Sequence, residues 1–267
     1  MMRKKHYLFV VLVMFLALHT TGMFAGNQVV RKVNTYNYKD FTSLRISGFP
    51  KVYFTQGNNY SIRVEESTSP HVKTIVKKNG QILTIETKSL KKNLGNVDAP
   101  VVRITAPMLN AIHSSGAVSL NAMMSSLKTS QLDISTSGAS KVFLKEVTCN
   151  SMKIVSSGAS SLNLGVVRCP SIKINGSGAN KLNMSIVGNE KTSMMFSGAS
   201  KGTINYQGDS LQISSSGAGK LDIKVDCKYL KAYNSGAAKM TISGTADHTE
   251  IKSSGASKIN TSELNKY

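Results

Sequence analysis

Apolar and polar positions alternate two by two along most of the chain, and a fixed interval interrupts the alternation. From about residue 108 onward the apolar residues fall into columns around a recurring Ser-Gly-Ala triplet. Its glycines are Gly116, Gly138, Gly158, Gly178, Gly198, Gly217, Gly236 and Gly255, separated by 22, 20, 20, 20, 19, 19 and 19 residues. Four residues before the glycine stand Ile112, Ile134, Ile154, Ile174, Met194, Ile213 and Ile251; six before stand Leu132, Met152, Ile172, Leu211 and Leu230. Four after it come Leu120, Val142, Leu162, Leu182, Leu221, Met240 and Ile259, and six after it Leu144, Leu164, Met184, Ile204, Ile223 and Ile242. An earlier column, eleven before the glycine, holds Leu127, Val147, Val167, Val187, Tyr206 and Val225. Spacing by two is the period of a strand and not of a helix. A repeat near 20 residues, built of short strands, is the mark of a solenoid. The pattern therefore predicts an all-β protein: a three-sided parallel β-helix of about eight rungs of 19–22 residues. At the corner, glycine supplies positive φ and alanine is expected to point into a crowded interior. A leucine-rich repeat of similar period is excluded, because its Leu-x-x-Leu-x-Leu run and Asn ladder are missing.

Ahead of the repeats, Arg3-Lys4-Lys5 precedes an apolar run over 7–18 and small or polar residues to about Gly26. That order is a secretory signal, with cleavage expected near Ala25. The run is too short for a stable membrane span, so no integral membrane anchor is expected. Between 29 and 107 the repeat is not visible, yet strands are. Phe41 to Phe54 reads as two extended pieces around Ser47-Gly48-Phe49-Pro50, residues 60–65 alternate, and a hairpin turns at Asn79-Gly80. Val101-Val102-Arg103-Ile104 is a further strand. Gly48 has the frame of the later glycines, with Leu44, Lys51, Val52 and Phe54 in the matching columns. The expected organisation is a signal peptide over 1–25, an N-terminal β region over 27–107 and the regular β-helix over 108–267. The middle region holds a degenerate rung and the hairpin, and it would cap open strand edges.

Phe41-Thr42-Ser43-Leu44-Arg45-Ile46-Ser47-Gly48, then Val52-Tyr53-Phe54-Thr55-Gln56-Gly57 and Ile62-Arg63-Val64-Glu65, followed by serial Ser-Gly-Ala rungs, resembles the head GIN domain family. These are secreted proteins typical of Bacteroidetes that carry an auto-transporter adhesin label. The resemblance implies a right-handed parallel β-helix and an envelope or surface location: periplasm, outer-membrane surface or extracellular. It brings no catalytic or binding residues. Only 11 residues follow Ala256, too few for the stalk or membrane barrel that "auto-transporter" would require.

Charge sharpens the picture. The sequence carries 33 Lys and Arg against 14 Asp and Glu; removing the signal leaves 30 against 14, a net charge of +16. Part of that excess is ordered, because three residues after the repeat glycine stand Lys141, Lys181, Lys201, Lys220, Lys239 and Lys258. Ser119 and Ser161 interrupt the column, and Lys51 continues it. Ammonium groups stacked at rung spacing repel each other and must face solvent. Such a stripe suits an anionic polysaccharide, lipopolysaccharide phosphates or a teichoic-type polymer; it equally suits a turn kept soluble and free of edge pairing. Beside it, Ser140, Ser160, Asn180, Ser200 and Ser257 form a polar column that could satisfy turn groups or face a sugar. Aromatic candidates for a sugar platform are limited to Tyr206, Tyr229 and Tyr233, with Tyr206 expected in the core.

Cys149, Cys169 and Cys227 share one column, nine before a glycine. Adjacent rungs put the Cα atoms of Cys149 and Cys169 ~4.8 Å apart, within disulfide range. A disulfide and a pair of buried free thiols are both open. One cysteine column with no converging His holds no metal, and no cofactor is indicated. The acids of the repeats scatter over different rung positions, and His71, His113 and His248 are dispersed, so no catalytic set can be nominated. Export and the lack of interleaved aromatics argue against nucleic acid. The reading is an exported, non-catalytic, adhesin-like module that binds an anionic polysaccharide or cell-surface glycan through the lysine face. The alternative is a scaffold of the periplasm or outer membrane that binds another envelope protein.

Overall fold

The computed structural model describes residues 31–92, 95 and 97–266; the expected signal peptide lies outside the described residues. Among them, nineteen strands form one continuous sheet, and no helix is present. The N-terminal strands are β1 (Val33–Tyr36), β2 (Ser43–Gly48), β3 (Lys51–Gln56), β4 (Ser61–Glu65), β5 (Val72–Asn79), β6 (Ile82–Ser89) and β7 (Val101–Ala106). The stack continues with β8 (Ala111–Gly116), β9 (Ser119–Lys128), β10 (Gln131–Thr136), β11 (Lys141–Thr148), β12 (Ser151–Ser156), β13 (Ser161–Arg168) and β14 (Ser171–Gly176). In the last rungs the strands run on through the bends as β15 (Lys181–Gly198), β16 (Lys201–Gly217), β17 (Lys220–Gly236), β18 (Lys239–Ser253) and β19 (Lys258–Lys266). From β8 on, every pairing is parallel and joins one rung to the next, which is a parallel β-solenoid.

One rung shows how the alternation bends the chain. In β11, Val142 and Leu144 are buried; Lys145 and Glu146 then both face outward, before Val147 and Cys149 turn in again. Two successive outward residues make a corner. Along β12, Met152, Ile154 and Ser156 point inward, and Ser157-Gly158-Ala159 closes the rung. The thin core is a stack of these residues, with Ile112, Ile134, Ile154, Ile174, Met194 and Ile213 all buried.

Each change of period has a location. The 22-residue step places the extra residues of β9 opposite the bend, between Leu144↔Ala122 and Glu146↔Ser126. The drop to 19 residues occurs at Gly188, which is skipped between Val187↔Gln207 and Asn189↔Gly208. A further slip pairs Val167 with Ile186. Ile186 therefore fills the core there, and Val187, assigned to that column by counting from the glycine, is only half-buried.

Residues 57–107 interrupt the repeat in sequence but not in space. Strand β2 lies directly on β8 with Gly48 opposite Gly116, and β3 lies on β9. The intervening segment folds back to the other side, where β6 pairs in parallel with β2 and β7 with β3. Antiparallel strands then cover this end: β5 on β6, β4 on β7 and β1 on β4. A parallel stack thereby ends in a hairpin and a meander rather than in open parallel edges.

The corner departs from expectation in one respect. Alanine of the triplet is exposed, as at Ala139, Ala159 and Ala179, and the residue after it turns inward. Nine glycines, Gly48 included, hold φ between 70° and 112° in one column. A Cβ on Gly178 would stand 2.5 Å from the Gly158 carbonyl oxygen. Gly178→Ala thus combines strained backbone with a clash against backbone, and should cost about 2–3 kcal/mol. At Gly188 the φ is 65° but nothing lies within 4 Å of the added atom, so Gly188→Ala should cost only about 1 kcal/mol. Thermal midpoints of the two variants check this: Gly178→Ala is expected to melt several degrees lower, by roughly 2–4 °C per kcal/mol for a domain of this size.

Candidate binding surface

The register of the strands carries the lysine column through five consecutive rungs: Lys181↔Lys201, Lys201↔Lys220, Lys220↔Lys239 and Lys239↔Lys258. All five side chains are exposed, and at ~4.8 Å per rung they span ~19 Å. Lys141 is also exposed but stands apart, between Ser119 and Ser161. Two residues further along each strand the outward position is largely neutral, with Asn183, Thr203 and Thr241 around Asp222. Among the described residues, Lys220 alone in the column meets an acid, with Nζ 3.4 Å from Asp222. A run of nearly uncompensated ammonium groups is a field that attracts anions and weakens with salt. Positive charge is not confined to it, since Lys153 and Lys173 also pair in register, on the strand before the corner.

The serine column beside the lysines is interior. Ser140 is 0% exposed, and Ser160, Asn180 and Ser200 are likewise buried, so these residues are not open to a sugar. Three of them close the corner instead: Ser140 Oγ donates to Ser137 O at 2.9 Å, Ser160 Oγ to Ser157 O at 3.0 Å and Asn180 Nδ2 to Ser177 O at 2.6 Å. A second buried polar column, two before the glycine, joins them, with Thr136 donating to Ser156 and Ser156 to Asn180 Oδ1. Counting alone misses that column because Ser and Thr at alternate positions resemble surface residues.

At the cysteine column, the Cys149 and Cys169 sulfurs are 2.9 Å apart, both as free buried thiols. Donation to Cys169 together with burial holds the Cys149 thiol protonated, well above its ordinary range. Burial also pushes Cys227 up to about 11. On the next rung after Cys169, Asn189 takes the column; its Oδ1 accepts from Thr192 and from the buried Tyr206 hydroxyl. Among the described residues no three His, Cys, Asp or Glu side chains gather as a metal site.

Nearly all of the described residues match a known family. A sequence profile described as "Putative auto-transporter adhesin, head GIN domain" matches residues 40–207 and 193–266. The chain belongs to the head GIN domain family. Solved structures share its architecture at low identity. A "putative adhesin" from Parabacteroides merdae ATCC 43184 has a TM-score of 0.66 at 16% identity, covering 86% of this chain and 95% of that one. One from Parabacteroides distasonis ATCC 8503 gives 0.65 at 19%, covering 88% and 95%. A "Putative lipid binding protein" from the same organism gives 0.62 at 14%, covering 88% and 96%. At such identities the likeness shows the fold. No curated protein sequence matches the chain. The family and its adhesin neighbours are described by binding and not by catalysis.

Two predictions test the surface chemistry. Changing Lys181, Lys201, Lys220 and Lys239 together to Ser should leave the thermal midpoint almost unmoved, because exposed charges with few partners contribute within about 0.5 kcal/mol each. Because both thiols are buried and Cys149 is held protonated, Cys149 and Cys169 should resist an alkylating agent in the folded protein. Mass spectrometry should find them, with the equally buried Cys227, modified only once denaturant is added.

Proposed function

We propose that this member of the head GIN domain family is an exported, non-catalytic binding module of the cell envelope, which holds an anionic glycan or surface polymer along its lysine stripe. The observation that supports this is the unbroken register of five exposed lysines over ~19 Å with one acidic neighbour. A linear polyanion laid along the solenoid axis meets one ammonium per rung. Rigid parallel stacking holds those groups in line, so little ordering of the protein is needed on binding.

A second reading, a scaffold that docks an envelope protein or lipid, rests on a different feature. Val155 and Met195, 39% and 48% exposed, flank Asn175 in one outward column. With Phe196 they line a shallow groove of about 370 Å³. Its apolar walls suit a side chain or an acyl chain better than a polyanion.

The deciding experiment measures binding of polygalacturonate, lipoteichoic acid and lipopolysaccharide to the mature protein at ~50 and ~300 mM salt. The comparison is the variant with Lys181, Lys201, Lys220 and Lys239 changed to Ser. Binding that weakens with salt and disappears in the variant is the expected result. Binding untouched by the substitutions would reduce the stripe to a solubilising device.

A further inference from the structure

The last full rungs carry an outward surface unlike the rest of the stack. On β17, Tyr229, Lys231 and Tyr233 face out; in register on β18 stand His248, Glu250 and Lys252, and on β16 Ser210, Gln212 and Ser214. On earlier rungs the same three columns hold Lys191, Ser193 and Met195, or Ser171, Lys173 and Asn175, so the tyrosines are peculiar to this end.

Contacts across the rungs fix the patch. Tyr229 stacks on His248 with ring centroids 5.1 Å apart, yet 52% of Tyr229 remains exposed. Lys252 Nζ lies 5.7 Å from the centroid of the Tyr233 ring. Between the two aromatic positions, Glu250 is gripped from both sides: Lys252 Nζ at 2.6 Å on one oxygen and Lys231 Nζ at 3.4 Å on the other. Hydrogen bonds from Lys252 and Tyr233 hold its carboxyl down at about 2, so it stays an acceptor throughout the ordinary pH range.

We propose that this patch is a second binding site, separate from the lysine stripe, which takes a neutral oligosaccharide by stacking sugar rings on Tyr229 and Tyr233. Four residues along a strand separate the tyrosines by ~13 Å, and three rungs span ~10 Å. That footprint matches a few sugar units and falls far below the ~800 Å² per side of a stable protein interface. The exposed Tyr229 offers an apolar face to the C–H side of a pyranose and a hydroxyl to its rim, whereas Tyr233, whose hydroxyl already bonds Glu250, offers ring surface. Ser210, Gln212, Ser214 and the Glu250 carboxylate add donors and acceptors for sugar hydroxyls. Lys231 and Lys252 against Glu250 leave the centre of the patch a single net positive charge, far less than the five lysines of the stripe, so ring stacking and short hydrogen bonds outweigh its field. A neutral ligand therefore suits it, whereas the stripe attracts anions. Beside Tyr233, a groove of about 450 Å³ lined by Ser214, Ser235, Lys252 and Ser254 gives the chain a path off the platform.

The test titrates chitotetraose, cellotetraose, maltotetraose and mannotetraose into the mature protein by calorimetry and saturation-transfer NMR. At least one should bind, with affinity unchanged between ~50 and ~300 mM salt and in the Lys181, Lys201, Lys220 and Lys239 to Ser variant. Tyr229→Ala and Tyr233→Ala should each weaken it at least about tenfold without lowering the thermal midpoint. Tyr229→Phe, which keeps the ring, should bind as wild type within a few-fold and guards against a folding defect. Binding of none of the four sugars, binding retained by both alanine variants, or binding lost with salt would overturn the proposal. None of these results bears on the polyanion reading of the stripe.

Discussion

At the Ser-Gly-Ala corners from Ala117 to Ala237, the carbonyl of one glycine accepts the N–H of the alanine on the next rung, as from Ala139 to Gly116, Ala159 to Gly138 and Ala179 to Gly158, each at 2.8 Å. The glycines take positive φ and approach so closely that a Cβ on any from Gly116 to Gly236 would fall within 3 Å of the glycine oxygen before it. The hydrogen-bond ladder that would normally stop at a turn therefore runs through it. Rungs cannot slip by one residue without putting a side chain into that space, so the corner sets the register for the whole stack. Buried Ser140, Ser160 and Asn180 reinforce it from inside by satisfying the carbonyls of the corner serines.

Register at the corner decides what the outer surface can be. When each rung lies directly on the last, a residue chosen at one position is presented again every ~4.8 Å. Lysine three residues past the glycine becomes a line of charge, and tyrosine and histidine seven before it become a stack of rings. The two surfaces lie on either side of the same corner and differ in physics. One depends on a long-range field that salt screens; the other depends on apolar contact and short hydrogen bonds.

Much of this was legible from spacing. Column counting from the glycine finds the buried Ile154, Ile174 and Ile213 and the exposed lysines, because a repeat averages away the ambiguity of any one strand. It fails where the period changes. Losing a residue at the bend moves Ile186 into the place that counting assigns to Val187, and the local sign of the slip is a single strand glycine, Gly165, skipped in the pairing. Polarity also misleads at the corner. Ser140 and Ser160 look like surface residues, yet carbonyls left by the turn need donors, and a small hydroxyl is the group that fits. The fold-back of β6 and β7 onto the far side of β2 and β3 is non-local and leaves no trace in periodicity. At the tyrosine patch, Tyr229 and Tyr233 stand out by residue type, but their partnership with His248, Glu250 and Lys252 appears only once β18 is laid beside β17.

Whether the stripe acts as one continuous site is best measured by removing its lysines one at a time, from Lys258 toward Lys181, and following how affinity for the tightest of the anionic polymers depends on salt. If the polymer lies along the column, the slope of log affinity against log salt should become shallower with each lysine removed, as counterion release requires. A slope that stays constant while the column is dismantled would contradict the account, and would place the polyanion on some other face of the solenoid.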